Sequence, residues 1–461
     1  MNRPVHRPAL RGRLKPLALA LTGLVFSNVT LPSYAGRPSP PVRTATTWTV
    51  SNCNDSGSGS LRDVVGNFAV DGDTVDMTTL TCGTITLTTG AILIVPDNLT
   101  IEGPGTTALF IDGNYASRAL IHGGHGVLTV RNLSIWHGYG HSTGSSEAVG
   151  GGIASRATVS LDHVSVKYCQ VATDGFGAAR GGGVYAGNLE ARSSMIKYND
   201  ARTNDGFAAG GGVYTTGSAT FDYTTIDHNQ AFANDASKSY GGGIVATGGG
   251  ALRESTVSRN EAGQVGGVIF IGGQSAIAQS TVSGNSATRS TLGAGAHIAS
   301  TSAVAVENST ITGNLERNPS NTRYGAGLHL GDNTQAMVIS SIISRNLLDD
   351  GTSLLWFSDI GGSAGSAIGG DHDLMTLSLL PVPSDTLFVL DPELGPLTDN
   401  GGPTETHALR STSPALEAGS DPTGVAVDQR GTGYLRVIGA RADIGAFEFD
   451  ITDLILANGF D

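Results

Sequence analysis

Between residues 150 and 346, two short motifs recur in step. The first is a glycine cluster closed by an apolar residue. It reads Gly150-Gly151-Gly152-Ile153, then Gly181 to Val184, Gly210 to Val213 and Gly241 to Ile244. Looser copies end at Val268, Ala296 and Leu328, and steps between copies run from 24 to 32 residues. The second motif is an apolar residue three positions before an asparagine. It places Asn199, Asn229, Asn260, Asn285, Asn314 and Asn346 in one column, with Cys169 in the slot of the first copy. Short alternating stretches such as Ala219-Thr220-Phe221-Asp222-Tyr223 lie between them, and alternation means strands with one face in and one face out. Strands and glycine corners on a fixed beat, with no long helical period, predict the coils of a solenoid. Parallel crossovers are right-handed in nearly all proteins. The expected fold is therefore all-β, a right-handed parallel β-helix with inward Ile and Val ladders and an asparagine column hydrogen-bonded along the stack. Asparagine also suits a left-handed turn position, which the column is expected to occupy.

Asn98-Leu99-Thr100-Ile101 and Asn132-Leu133-Ser134-Ile135 read as strands of two earlier coils. About nine coils are expected, or about 40 Å of stack at the usual strand spacing. The β-helix is assigned to residues 91–350, an N-terminal cap to 36–90 and a C-terminal cap to 351–449. Apolar residues at Leu61, Val64, Val65 and Phe68 make a helical stripe that could close the open first coil.

Composition supports a long thin stack over a compact ball. There are 66 glycines, while aromatics are 6% and charged residues 15%. Residues 1–35 carry Arg3, Arg7, Arg11, Arg13 and Lys15, no acidic residue, an apolar run from Leu17 to Phe26, and Ser33-Tyr34-Ala35. That is the pattern of a secretory signal peptide. Its removal takes away five positive charges and moves the formal charge from −13 to −18. So acidic a chain is a poor partner for nucleic acid. No other apolar run is long enough for a transmembrane span. Export permits a disulfide between Cys53 and Cys82. Cys169 reads as a turn residue rather than a redox site.

The glycine tetrads and apolar-x-x-Asn motifs resemble the short repeats of polymorphic outer-membrane proteins. The run from Asn52 to Asp63 is similar to the start of many bacterial β-helix proteins of pectin-lyase-like fold. Asp399-Asn400-Gly401-Gly402-Pro403-Thr404, with Asp428-Gln429-Arg430-Gly431 and Asp443 to Glu448, resembles the choice-of-anchor Q domain. Together these resemblances cover most of residues 48–449. They imply secretion or a place at the cell surface or outer membrane, and no settled activity. Autotransporter-type relatives end in a membrane β-barrel; the tail 450–461 shows no such pattern, so self-translocation is not expected. That tail resembles the aromatic-acidic endings of other exported proteins, and a sorting signal or a frayed end are both open readings.

The excess length of each coil lies between the Asn slot and the next glycine cluster, so these insertions pile up on one flank. Asp174, Phe176, Asp205, Phe207, Phe232 and Asp235 would present aromatics beside carboxylates there. The functional reading is sugar stacking by the rings, with the carboxylates taking hydroxyls or Ca²⁺. The bland reading is turn support. Gly124-His125-Gly126 resembles a polygalacturonase motif whose companion aspartates do not appear in matching order. Asp371-His372-Asp373 combines two carboxylates and an imidazole in an expected cap loop. Three functions remain open on this sequence: an adhesive or glycan-interacting protein, a polysaccharide lyase or hydrolase, and a structural surface protein.

Overall fold

The computed structural model describes residues 43–318, 324–352, 355–421 and 423–451. The expected signal peptide and residues 452–461 of the expected tail lie outside the described residues. The body from Ala45 onward is a parallel β-solenoid of about 11 turns rather than nine. The additional turns come from stacked strands such as Thr47–Thr49, Asp73–Asp76, Ile360–Gly362 and Ala367–Asp371, which lack the glycine and asparagine motifs. Stacking thus runs beyond 91–350 at both ends.

Most coils contribute to three main sheets. A ten-stranded sheet carries the apolar residue that ends each glycine tetrad, so that Ile153, Val184, Val213 and Ile244 pair in register and are fully buried. A 22-stranded sheet takes two legs from most coils, for example Asn188–Arg192 and Met195–Lys197. A nine-stranded sheet completes the circuit. Its last edge is covered by Leu355–Phe357, which pairs antiparallel with Leu347–Asp349.

Two polar ladders run inside the stack. In one, Asn199 Nδ2 donates to Asn229 Oδ1 at 2.9 Å, and the same bond links Asn229 to Asn260, Asn260 to Asn285, Asn285 to Asn314 and Asn314 to Asn346. The other consists of Ser194, Thr224, Ser255, Ser280, Ser309 and Ser341. There each hydroxyl oxygen accepts the backbone N–H of the residue one coil earlier, as Ser280 Oγ does from Ser255 at 3.1 Å. The asparagines do not hold the left-handed backbone expected of them. The residue immediately before each does, with φ of 58° at Tyr198, 53° at His228 and 54° at Arg259. Residues before the hydroxyl ladder behave alike, with Ser193 at 47° and Tyr223 at 48°. Each left-handed residue turns the chain, and its successor then points inward to pair buried backbone N–H groups.

This geometry explains why the two motifs keep one beat. A Cβ on Gly183 would lie 3.0 Å from Asn199 Cγ and 2.8 Å from the Gly212 carbonyl. Gly212 faces Asn229, and Gly243 faces Asn260, in the same manner. The third glycine of each tetrad makes room for the asparagine of its coil.

At the N-terminal end the helix Leu61–Asn67 buries Leu61, Val64 and Val65 over the first coils. Ser60 Oγ caps it by accepting the N–H of Asp63 at 3.2 Å. Phe68 stays outside the core and packs on Trp48, ring centroids 5.4 Å apart. Cys53 and Cys82 form a disulfide with Cα atoms 6.2 Å apart.

The segment 394–449 runs along the outside of the stack. Thr281 Oγ1 donates to Gln429 Oε1 at 2.6 Å, Gln429 Nε2 donates to Thr256 Oγ1 at 2.9 Å, and Ser283 Oγ meets His407 Nε2 at 2.8 Å. Ala446 N–H donates to Thr310 Oγ1 at 3.1 Å. Inside the segment, Arg430 pairs with Asp428 at 2.7 Å between the rings of Tyr434 and Phe447. These contacts hold the segment together and seat it on the stack.

Candidate functional site

The left-handed position before the asparagine column throws its side chain outward. In four successive levels that side chain is aromatic: His137, Tyr168, Tyr198 and His228; one coil earlier Tyr115, in the turn that stands at this level, packs on His137. Coils repeat at about 4.8 Å, which is near ring-stacking distance. Centroids of Tyr168 and Tyr198 lie 5.1 Å apart with planes 5° from parallel, and Tyr198 and His228 lie 5.0 Å apart. His137 is 6.0 Å from Tyr168 and 4.4 Å from Tyr115. The rings face solvent along one side, with Tyr168 41% and Tyr198 43% exposed. At the next level the position is Arg259, whose guanidinium is held by Asp227 at 2.7 Å and by Glu405 of the outer segment. Burial alone would push Asp227 up; hydrogen bonds from Arg259, His228 and Ser258 hold it below the usual carboxylate range.

Beside the upper rings lies an open cleft of about 260 Å³ lined by Phe110, Trp136, Ser165, Lys167 and Met195. Trp136 joins cleft to column: its ring is 4.4 Å from Phe110 and meets Tyr168 edge-on at 6.2 Å. Burial, with the nearby charge of Lys197, lowers the pKa of Lys167.

The flank expected from sequence is built differently. Phe176 is 77% exposed, and among the described residues no ring contact joins Phe176, Phe207 and Phe232 to one another; Phe207 approaches Tyr240 at 6.4 Å. Asp174 Oδ2 lies 2.9 Å from His141 Nε2. At Asp205 the backbone carbonyl accepts from Lys238 Nζ at 3.0 Å. Asp235 caps the turn Ala236–Lys238 by accepting from Ser237 N and Oγ. Among the described residues no group of three or more His, Cys, Asp or Glu side chains gathers to hold a metal ion, so the Ca²⁺ considered for this flank has no such cluster there. His125 stands exposed, 3.5 Å from Asp97. His372 lies 3.1 Å from Asp371, while Asp373 turns inward and burial pushes it up to about 8.

The ring column was missed in the sequence, though its signal is there: Tyr168, Tyr198 and His228 recur every 30 residues, each one position before an Asn slot.

No family model and no curated protein matches the sequence. Among solved structures, the crystal structure of pectate lyase Pel9A is similar in fold. It shares 13% identity over 89% of this chain and 98% of that chain, with a TM-score of 0.37. A likeness at that level assigns no residue a role. Among the described residues no helix is long and apolar enough to cross a membrane.

Proposed function

We propose that this is an exported bacterial protein that binds glycan at the cell surface through the column Tyr115, His137, Tyr168, Tyr198 and His228. The observation that carries the reading is the run of solvent-facing rings 5.0 to 6.0 Å apart between His137 and His228 on a rigid stack. The rings stack on one another and present their edges, phenol hydroxyls and imidazole nitrogens to solvent at a fixed spacing with little ordering cost, which suits the mixed polar and apolar surface of a sugar chain. Stacked rings also suit nucleobases, but a phosphate backbone needs a run of cations, and at the end of the ring column Arg259 is already paired with Asp227 and Glu405. The signal-peptide pattern and the resemblances to polymorphic outer-membrane proteins and the choice-of-anchor Q domain support surface placement.

Affinity electrophoresis through gels cast with neutral and acidic polysaccharides tests the reading. Retardation of the wild-type protein, lost in a Tyr168→Ala/Tyr198→Ala variant and kept in Phe176→Ala/Phe207→Ala, is the expected result. Retardation that survives the tyrosine pair and disappears with the phenylalanine pair would return the site to the loop flank.

A further inference from the structure

The outer segment and the open cleft occupy two halves of one surface. Strand register aligns Ser134, Ser165, Met195, Thr225, Thr256, Thr281 and Thr310 in a single outward column. A neighbouring column contains Trp136, Lys167, Lys197, Asp227, Ser258 and Ser283. From Thr256 onward the surface is covered by the chain's own residues 394–449, which satisfy it. The Thr256 hydroxyl donates to the Glu405 carbonyl at 2.6 Å, and the Thr281 hydroxyl to Gln429 Oε1 at 2.6 Å.

Nothing performs that service at Ser165 and Trp136. Ser165 is 4% exposed and its Oγ has no hydrogen-bond partner; the buried indole N–H of Trp136 has none either. Buried polar groups are nearly always paired, so two unpaired ones lining a single cleft call for an explanation. Lys167 completes the set, and among the described residues no carboxylate lies within ion-pair distance of its ammonium; Lys197, by contrast, faces Asp227 at 3.5 Å. An indole N–H and an ammonium can only donate, and a hydroxyl can donate. On the covered half the chain itself supplies the acceptors. On the open half a ligand must.

We infer that the cleft between Phe110, Trp136, Ser165, Lys167 and Met195 is an anion pocket that receives an acidic group, carboxylate or sulfate ester, carried by the glycan lying on the ring column. The inference rests on the glycan-binding reading and narrows it to acidic polymers. Trp136 serves both parts: its ring meets Tyr168 edge-on, and the residue lines the pocket. Lys167 supplies charge without the planar fork of arginine, which allows either acid.

Binding of the full-length protein to alginate, hyaluronate and their carboxyl-reduced forms, measured by titration calorimetry, tests this. The acidic polymers are expected to bind at least tenfold more tightly than the reduced ones. Lys167→Gln should abolish the preference and keep the affinity for reduced polymer, while Lys167→Arg should retain the preference. Dextran sulfate beside dextran separates the two acids: a Lys167-dependent preference in that pair alone assigns the pocket to sulfate. Tyr168→Ala/Tyr198→Ala should weaken acidic and reduced polymers alike. Equal affinity within every pair, or a preference indifferent to Lys167→Gln, overturns the pocket and leaves the ring column standing. Binding unaffected by the tyrosine pair overturns the column, and no binding to any polymer overturns both.

Discussion

Asn346 and Asp359 close the asparagine ladder: Asn346 Nδ2 and its backbone N–H both donate to Asp359 Oδ1, at 3.0 and 2.9 Å. A carboxylate stands where another asparagine would, because its second oxygen has separate work. Asp359 Oδ2 accepts the N–H groups of Thr376 at 2.9 Å and Leu377 at 2.7 Å. Asp359→Asn, conservative by ladder logic, would point an NH₂ group at two N–H donors or turn it on Asn346. The expected cost is about 2 kcal/mol, from two part-buried donors left unpaired. Urea unfolding measures it, and an unchanged midpoint would contradict the assignment of Oδ2.

The hydroxyl ladder ends on Asp373, whose Oδ1 accepts from Ser341 N–H at 3.0 Å. Burial pushes this carboxyl up to about 8, and the charges of Asp371 and Asp385 add to the rise. In the unfolded chain the group titrates near the ordinary aspartate value of about 3.9. The folded protein therefore holds a proton that the unfolded chain has released. This contribution to stability is full below about pH 4 and is lost as pH rises to about 8. Asp373→Asn keeps the acceptor and removes the titration. Its unfolding midpoint should fall less than that of wild type between pH 5 and 8, and the variant should be the more stable at pH 8. Parallel profiles would contradict the buried protonated state.

In the middle of the stack, Asn260→Ala removes three buried hydrogen bonds at once. Asn229 N–H and Nδ2 lose their shared acceptor, and the Ile226 carbonyl loses its donor. A loss of roughly 3 kcal/mol or more is expected, since each buried unpaired group costs about 1–3 kcal/mol. Asn98→Ala, at an exposed position, provides the comparison, with a smaller loss expected.

These ladders show what the sequence made legible. The coil beat and inward ladders can be read from Ile153, Val184 and Val213 because burial selects for apolar residues at fixed spacing. The asparagine column is visible for the same reason, being one residue type at one place. The hydroxyl ladder sits five residues before each asparagine, at Ser194, Thr224 and Ser255, and is hidden because serine and threonine fill much of the chain. Tyr168 and Tyr198 were hidden differently: outward positions vary from coil to coil, and only a few levels are aromatic. The loop phenylalanines drew notice beside Asp-Gly turns, yet Phe176 and Phe232 belong to local loop and edge geometry that sequence alone does not resolve. Nor does any periodicity report that residues 394–449 lie along the stack, since they pair with it through irregular backbone and side-chain bonds.

That outer segment depends on Arg430, which pairs with Asp428, donates to the Glu448 carbonyl at 2.6 Å and lies between two aromatic rings. Arg430→Met leaves Asp428 buried without its guanidinium, a change that typically costs about 3–5 kcal/mol. The loss should appear locally, as faster amide hydrogen exchange in 425–449 and little change in the strands around Val184 and Val213. Uniform acceleration across the coils would contradict an outer segment that opens by itself.

The central claim concerns which rings meet the ligand. Tyrosine nitration read by peptide mass spectrometry, with and without a saturating glycan, addresses it directly. Protection of Tyr168 and Tyr198, with Tyr434 unchanged inside the outer segment, is the result this account predicts. Saturating binding that leaves Tyr168 and Tyr198 as reactive as in the free protein would contradict it.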